Sequence, residues 1–425
     1  MSDEDAEVAR QNPEGVARDR YVLQLVELPS RPHRDHYEEV SNGCLGLLFH
    51  YLFDLQVEPS FDQSFERAWR NYRLINRIFA QTLSSVPDAA PVLVQDFHLM
   101  LVGEELRRLQ RVDRPLLYFH HVPWCEPEYF NVLPSRVSTD ILRGLLAYDV
   151  VGFHATSWAR AFLDCCERMI PGARSDADRV LWRGRATRVI SAAGALDVRS
   201  TRAAAHSGAA NAWAQRLERM RGDRWMLVRV DRADLWKNLY RGLLAFEGLL
   251  ARSPGLRSRV WFAVLTTPAR SWIPAYRDYF DRCADLIEHI NRRFRLEGGA
   301  EGPISLLVSP EGRPDRHRAL AALRTADALL VNPTLDGLNL VAKEWAAVSE
   351  RDGVLILSRN AGVYEQLGPG ALGVNPFDVT ETAAAIERAL LMDAGERADR
   401  ARSLRRIVGD ATPERWVEAQ LGAVP

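Results

Sequence analysis

A chain of 425 residues, 47% hydrophobic and 26% charged, exceeds what one hydrophobic core accommodates and predicts two globular domains. The net charge of −1 excludes a general electrostatic pull toward nucleic acid or an anionic membrane. No apolar run reaches membrane-spanning length, and the acidic opening Met1-Ser2-Asp3-Glu4-Asp5 lacks a signal-peptide pattern, so a cytoplasmic protein with no membrane partner is expected.

The five cysteines show no CxxC spacing and read as reduced thiols; no metal is expected. Of the 55 basic residues only Lys237 and Lys343 are lysine. Either the coding bias simply favours arginine, or the lysines that persist mark places where a compact ammonium fits and a planar guanidinium does not.

In chain order, short apolar runs predict strands at 21–28, 92–95, 116–121, 150–154, 188–191, 226–230, 260–264, 305–308, 328–332 and 354–358. Amphipathic stretches separate them; in 66–83, Trp69, Tyr72, Ile75, Phe79 and Leu83 recur at helical spacing. Strand and helix in alternation predict an α/β protein of two doubly wound, parallel-sheet domains facing a cleft. The Ala-, Ser- and Gly-rich stretch 194–211 has no apolar period and is the expected boundary. It gives a first domain over 1–196, a second over 197–410, and a C-terminal helix over 411–425 packing back on the first.

Parallel sheets bind ligands at the carboxyl ends of their strands, and the chemically informative residues fall there. After 92–95 comes Asp96-Phe97-His98-Leu99; Asp96 either orients a substrate hydroxyl or caps the next helix. The pair His120-His121 ends the following strand with no carboxylate or cysteine at metal-ligand spacing, so His121 is expected to hydrogen-bond a sugar. After 226–230, Arg232 and Lys237 stand five residues apart and suit a leaving diphosphate without a metal; the alternative is a solvated charged loop. After 328–332 comes Asp336-Gly337-Leu338-Asn339-Leu340-Val341-Ala342-Lys343-Glu344. Gly337 permits close backbone approach, a helix starting near Leu338 presents free N–H groups to phosphate, and Glu344 lies two turns along within reach of a ribose diol. Asp336 either contacts ligand or caps that helix. No Walker A, GxGxxG, GxSxG or HExxH pattern occurs, which argues against kinases, dehydrogenases, serine hydrolases and zinc proteases.

Together these strings resemble the trehalose-6-phosphate synthases, in the same order and from about 37 to 421. Ser41-Asn42 with Phe49-His50-Tyr51, Leu357-Ser358 with Ala361-Gly362, and Val374-Asn375-Pro376-Phe377-Asp378 add to the resemblance. The form Val230-Asp231-Arg232 with Lys237-Asn238 looks actinobacterial and is shared with the related validoxylamine phosphate synthases. The resemblance implies a GT-B fold and retaining transfer of glucose from UDP- or GDP-glucose to glucose 6-phosphate, with the nucleotide sugar as substrate and no cofactor. It implies that Arg232 and Lys237 bind the donor diphosphate, Gly337 to Val341 line the donor, Glu344 takes its ribose, and Asp336 and His121 hold its sugar. Asp96 would orient the acceptor, and Tyr37 and Arg270 would bind its phosphate. The implied mechanism is front-face displacement, the leaving phosphate taking the acceptor proton.

Two departures bear on the acceptor. Family members open with a strand, a glycine-rich loop and an arginine that this chain is expected to lack, and Gly46 stands where a tryptophan is expected. A weaker hold on a phosphorylated acceptor follows. The resemblance therefore also allows a pseudo-glycosyltransferase acting on a cyclitol phosphate, or a non-catalytic regulatory subunit. Oligomeric state stays open, a homo-oligomer included.

Overall fold

A computed structural model describes residues 16–17, 21–86, 90–109, 114–295 and 302–424. The chain divides into two compact units, one running to Ser191 and rejoined by the tail from Gln420, the other spanning Ala192–Ala419.

The first unit is built on a six-stranded sheet: β1 (Val92–Gln95), β2 (Leu116–His120), β3 (Val150–Phe153), β4 (Arg174–Ser175), β5 (Arg179–Trp182) and β6 (Arg185–Ser191), in the order β1-β2-β3-β6-β5-β4. The first four in that order run parallel, while β5 and β4 are antiparallel additions. The sheet is therefore mixed where an all-parallel one was expected. The reason lies in Arg183-Gly184, both at positive φ, which reverse the chain in two residues as a hairpin requires. The alternating pattern of β5, exposed and buried in turn, marks a strand with one wet face, lying between β6 and the edge strand β4.

Helix α1 (Gln63–Ser84) begins where the Asp62 carboxylate accepts from the Phe65 N–H at 3.0 Å. Trp69, Tyr72, Ile75 and Asn76 form its buried face. The segment Asp35–Leu45 packs on it as a π-helix, a form that sequence periodicity does not reveal. Of the strand expected over 21–28 only Val22–Leu23 is extended in register with a partner; these residues are exposed, so no core holds a longer strand.

The second unit carries β7 (Trp225–Arg232), β8 (Val260–Thr267), β9 (Ile304–Val308), β10 (Ala328–Val331), β11 (Val354–Ser358) and β12 (Leu372–Val374), all parallel, in the order β9-β8-β7-β10-β11-β12. This is the dinucleotide-fold order, which reverses direction between β7 and β10 and opens a crevice there. Strand β8 is buried at all eight positions, as a strand covered on both faces must be. The stretch 194–211 contains one helix, Val198–Ala205, and the start of a second, Gly208–Arg221. Asp197 and Ser207 cap them through Ser200 N–H and Ala210 N–H, and alanine supplies the propensity that the missing apolar period concealed. The last helix spans Pro413–Leu421, and beyond it Ala423 packs with Leu117 and Val150 of the first unit.

Candidate functional site

In the second unit the site forms where β7 and β10 diverge. Arg229, almost fully buried, anchors it: its guanidinium pairs with Asp231 at 2.9 Å and donates to Asn332 Oδ1 and to the Lys237 carbonyl. These bonds tie the loop after β7 to the end of β10. The loop then makes a 3-10 turn, Leu235–Lys237, ending at Asn238 in left-handed conformation (φ 63°). Asn238 spans the crevice floor, donating to the carbonyls of Asn332 and Pro376, before α2 (Leu239–Arg252) begins.

Lys237 Nζ lies 2.6 Å from Asp336 Oδ2 and 4.0 Å from Asp231. Burial pulls this ammonium down, but Asp336 and Asp231 outweigh burial and hold it above its ordinary value. Asp231 is itself pushed up by burial, against the pull of Arg229 and Lys237. Arg232 projects outward, its side chain 56% exposed, while donating to Asp234 at 2.8 and 3.0 Å. The sequence singled out these two cations but not the anions they meet, Asp231 and Asp234.

Asp336 does not cap the helix that follows. Helix α3 (Leu340–Val348) starts two residues later than expected, and Asn339 caps it: its Oδ1 accepts from Ala342 N–H and its Nδ2 donates to Asp336 at 3.0 Å. Asn339 sits at φ 82°, a backbone state that asparagine tolerates better than most residues. The Asp336–Leu338 segment is further pinned by main-chain bonds with Asn360, Gly362 and Val363. Gly337 and Leu338 are buried, Leu340 is exposed and Val341 is half-buried. Val341 lines a 190 Å³ cavity with Arg232, Thr266, Pro314 and Arg318. Glu344 is half-buried on the second turn of α3; burial raises its carboxyl, opposed by Arg316. Lys343 serves differently from Lys237: it is 1% exposed and its ammonium donates to the Gly194 carbonyl at 2.5 Å.

Arg270, at the end of the loop after β8, adopts φ 47°. Its guanidinium donates to Asp234 at 2.5 Å and to the Tyr276 hydroxyl at 3.3 Å.

In the first unit Asp96, directly after β1, stands at φ 69°, costly for a non-glycine residue. Its side chain makes no cap bond to the turn Phe97–Leu99 and instead accepts from the His121 N–H at 3.2 Å. Helix α1 holds this turn: the Tyr72 hydroxyl donates to the Phe97 carbonyl, and Asn76 donates to His98 and accepts from Leu101. Burial pushes the Asp96 carboxyl up to about 6. His121 is bonded through Nδ1 to His154 at 3.0 Å and through Nε2 to Gln95 Oε1 at 2.8 Å. Gln95 only accepts there, so Nε2 carries the proton and Nδ1 accepts from His154. Burial pulls His121 down to about 4, and the ring is neutral at physiological pH. Tyr37, 42% exposed, stacks between His33 and His98 at 6.0 and 5.7 Å. The partners Gln95, His98 and His154 were missed; only Gln95 and His154 carried a signal, their position at strand ends. The expected loss of an opening glycine-rich loop concerns residues before Val16, which lie outside the described residues. Among the described residues no group of three or more histidine, cysteine, aspartate or glutamate side chains has a metal-binding arrangement, and no helix is long and apolar enough to cross a membrane.

Two strand-and-helix units, one with its cations at the switch point of a dinucleotide-type sheet, describe a nucleotide-sugar transferase of GT-B fold. The model of glycosyltransferase family 20 matches residues 2–424, and the chain belongs to that family. It is 32% identical to the validamine 7-phosphate valienyltransferase of Streptomyces hygroscopicus subsp. jinggangensis, over 99% of this chain and 83% of that one. It is 33% identical to the trehalose-6-phosphate synthase of Mycobacterium avium, over 96% and 82%. Among solved structures, the UDP-forming alpha,alpha-trehalose-phosphate synthase of Burkholderia xenovorans in complex with glucose-6-phosphate superposes with TM-score 0.87 and 28% identity, covering 96% of this chain and 88% of that one. An E. coli structure bound with UDP-2-fluoro glucose gives the same values. The chain is a glycosyltransferase enzyme by family and fold.

Proposed function

We propose that the chain transfers glucose from UDP- or GDP-glucose to a sugar phosphate, with retention, giving trehalose 6-phosphate or a close analogue. The observation that carries this reading is the pairing of Lys237 with Asp336 across the β7–β10 crevice, with Asp231, Arg232 and Val341 of the first turn of α3 lining one cavity. An anionic diphosphate entering there meets a desolvated ammonium, a guanidinium and main-chain N–H groups, and these stabilise it as charge develops on departure. In this assignment Arg232 and Lys237 hold the diphosphate, Gly337 to Val341 line it, and Glu344 binds the ribose. Asp336 and His121 hold the sugar. Asp96 orients the acceptor hydroxyl, whose proton passes to the leaving phosphate oxygen, and Tyr37 and Arg270 bind the acceptor phosphate. No cofactor takes part.

A second reading, transfer of a cyclitol unit onto a cyclitol phosphate, is favoured by Gly46. A tryptophan is expected there from the trehalose-6-phosphate synthases, and a Cβ at this position would press to 3.3 Å against the Ser41 carbonyl. The test is UDP or GDP release from a panel of nucleotide sugars with glucose 6-phosphate, glucose and validamine 7-phosphate. Release with glucose 6-phosphate upholds the first reading; release only with the cyclitol phosphate upholds the second. No release from any pair, with the donor still bound, would leave a regulatory protein.

A further inference from the structure

Asp234 is fully buried, and its two carboxylate oxygens serve two different arginines. Oδ2 accepts from Arg232 Nε and Nη2 at 3.0 and 2.8 Å; Oδ1 accepts from Arg270 Nη1 at 2.5 Å. The Asp234 carbonyl also accepts the Lys237 N–H at 3.0 Å, closing the turn that carries the lysine. The two guanidiniums differ in freedom. Arg270 is confined by Tyr276 and lies over the ring of Trp236 at 5.2 Å, whereas Arg232 is mostly exposed.

Resting on the assignment of Arg232 to donor diphosphate and Arg270 to acceptor phosphate, we infer that Asp234 is a positioning residue that couples the two anion subsites by sharing one carboxylate between their arginines. An anion on Arg232 competes with Asp234 for that guanidinium. As the Arg232 contact weakens, the carboxylate's charge falls more fully on Arg270, which then binds a second anion less well. The two ligands therefore oppose each other through Asp234, and departure of either tightens the hold on the other. An amide in its place has one acceptor oxygen and can serve only one arginine, so Asp234→Asn separates the subsites.

The test is calorimetric titration of the full chain with UDP, in the absence and presence of saturating glucose 6-phosphate, for wild type and D234N. In wild type, glucose 6-phosphate should weaken UDP by about fivefold or more, the lower end of coupling between linked sites; in D234N the ratio should fall to within about twofold of unity. An equal ratio in both proteins overturns the coupling while leaving the subsites intact. Failure of wild type to bind either ligand overturns the subsite assignment itself, and the coupling with it. If D234N does not fold, Arg270→Gln decides: with Asp234 then left wholly to Arg232, UDP alone should bind several-fold more weakly, and unchanged UDP affinity overturns the inference.

Discussion

Burial pushes the Asp96 carboxyl up to about 6, from an ordinary value of 3.8, so folding favours its neutral form. For a raised acid, the associated stability is complete below about pH 3.8 and is lost as pH rises through about 6. Above pH 6 the folded protein carries this buried charge at a cost on the order of 1–3 kcal/mol. Asp96→Asn should therefore raise the melting temperature at pH 7.5 and leave it nearly unchanged at pH 3.5. It should also lower kcat/KM by at least about a hundredfold, because the amide no longer orients a hydroxyl as a carboxylate does. Melting and steady-state kinetics on the same preparation check both halves. A variant both less stable and fully active would refute the assignment.

The two lysines divide by their surroundings, not by their motifs. Lys237→Arg places a larger, planar cation where Nζ sits 2.6 Å from Asp336, and kcat/KM should drop at least about tenfold, roughly 1.4 kcal/mol. Lys343 is more deeply buried than its motif suggests. Lys343→Arg should cost stability of about 1–3 kcal/mol through overpacking, with a smaller effect on kcat/KM than at Lys237. Denaturant midpoints beside kinetics separate the two.

At the scale of elements, α3 depends on one residue for three tasks. Asn339 caps the helix, bonds Asp336 and occupies φ 82°. Asn339→Ala loses all three and should destabilise the protein by about 1–2 kcal/mol while weakening the donor. Asn339→Gly relieves the backbone alone and should recover most of the stability but not donor affinity. Equal UDP affinity in the alanine variant and wild type would show that the Asp336–Asn339 bond is irrelevant to the site. The π-helix Asp35–Leu45 is a second element that local pattern did not disclose. Its Val40, Cys44 and Leu45 are buried, and they fit a helical period as readily as a wider one, so only packing against α1 settles the difference.

For the whole molecule, the proposed donor site is local to one unit. The proposed diphosphate contacts all lie within Ala192–Ala419. UDP at 100 times its dissociation constant should stabilise the folded chain by about 2.7 kcal/mol. Hydrogen exchange should slow in 229–238 and 336–344 while 92–121 is unchanged by UDP alone. Protection confined to 92–121 would move the donor to the first unit.

The sequence by itself determined the alternation of strand and helix, the strand-end placement of Asp96, His121, Arg232, Lys237 and Asp336, and the string from Asp336 to Glu344. These are local properties, carried by apolar runs and by short spacings along one segment. The buried role of Lys343, the neutral tautomer of His121 and the sharing of Asp234 between two arginines were decided only by tertiary structure. Each depends on a partner far along the chain: Gly194 for Lys343, Gln95 and His154 for His121, Arg270 for Asp234. A charge in a sequence has no environment; burial and the opposing group supply it, and they set whether that charge binds a ligand or holds the fold.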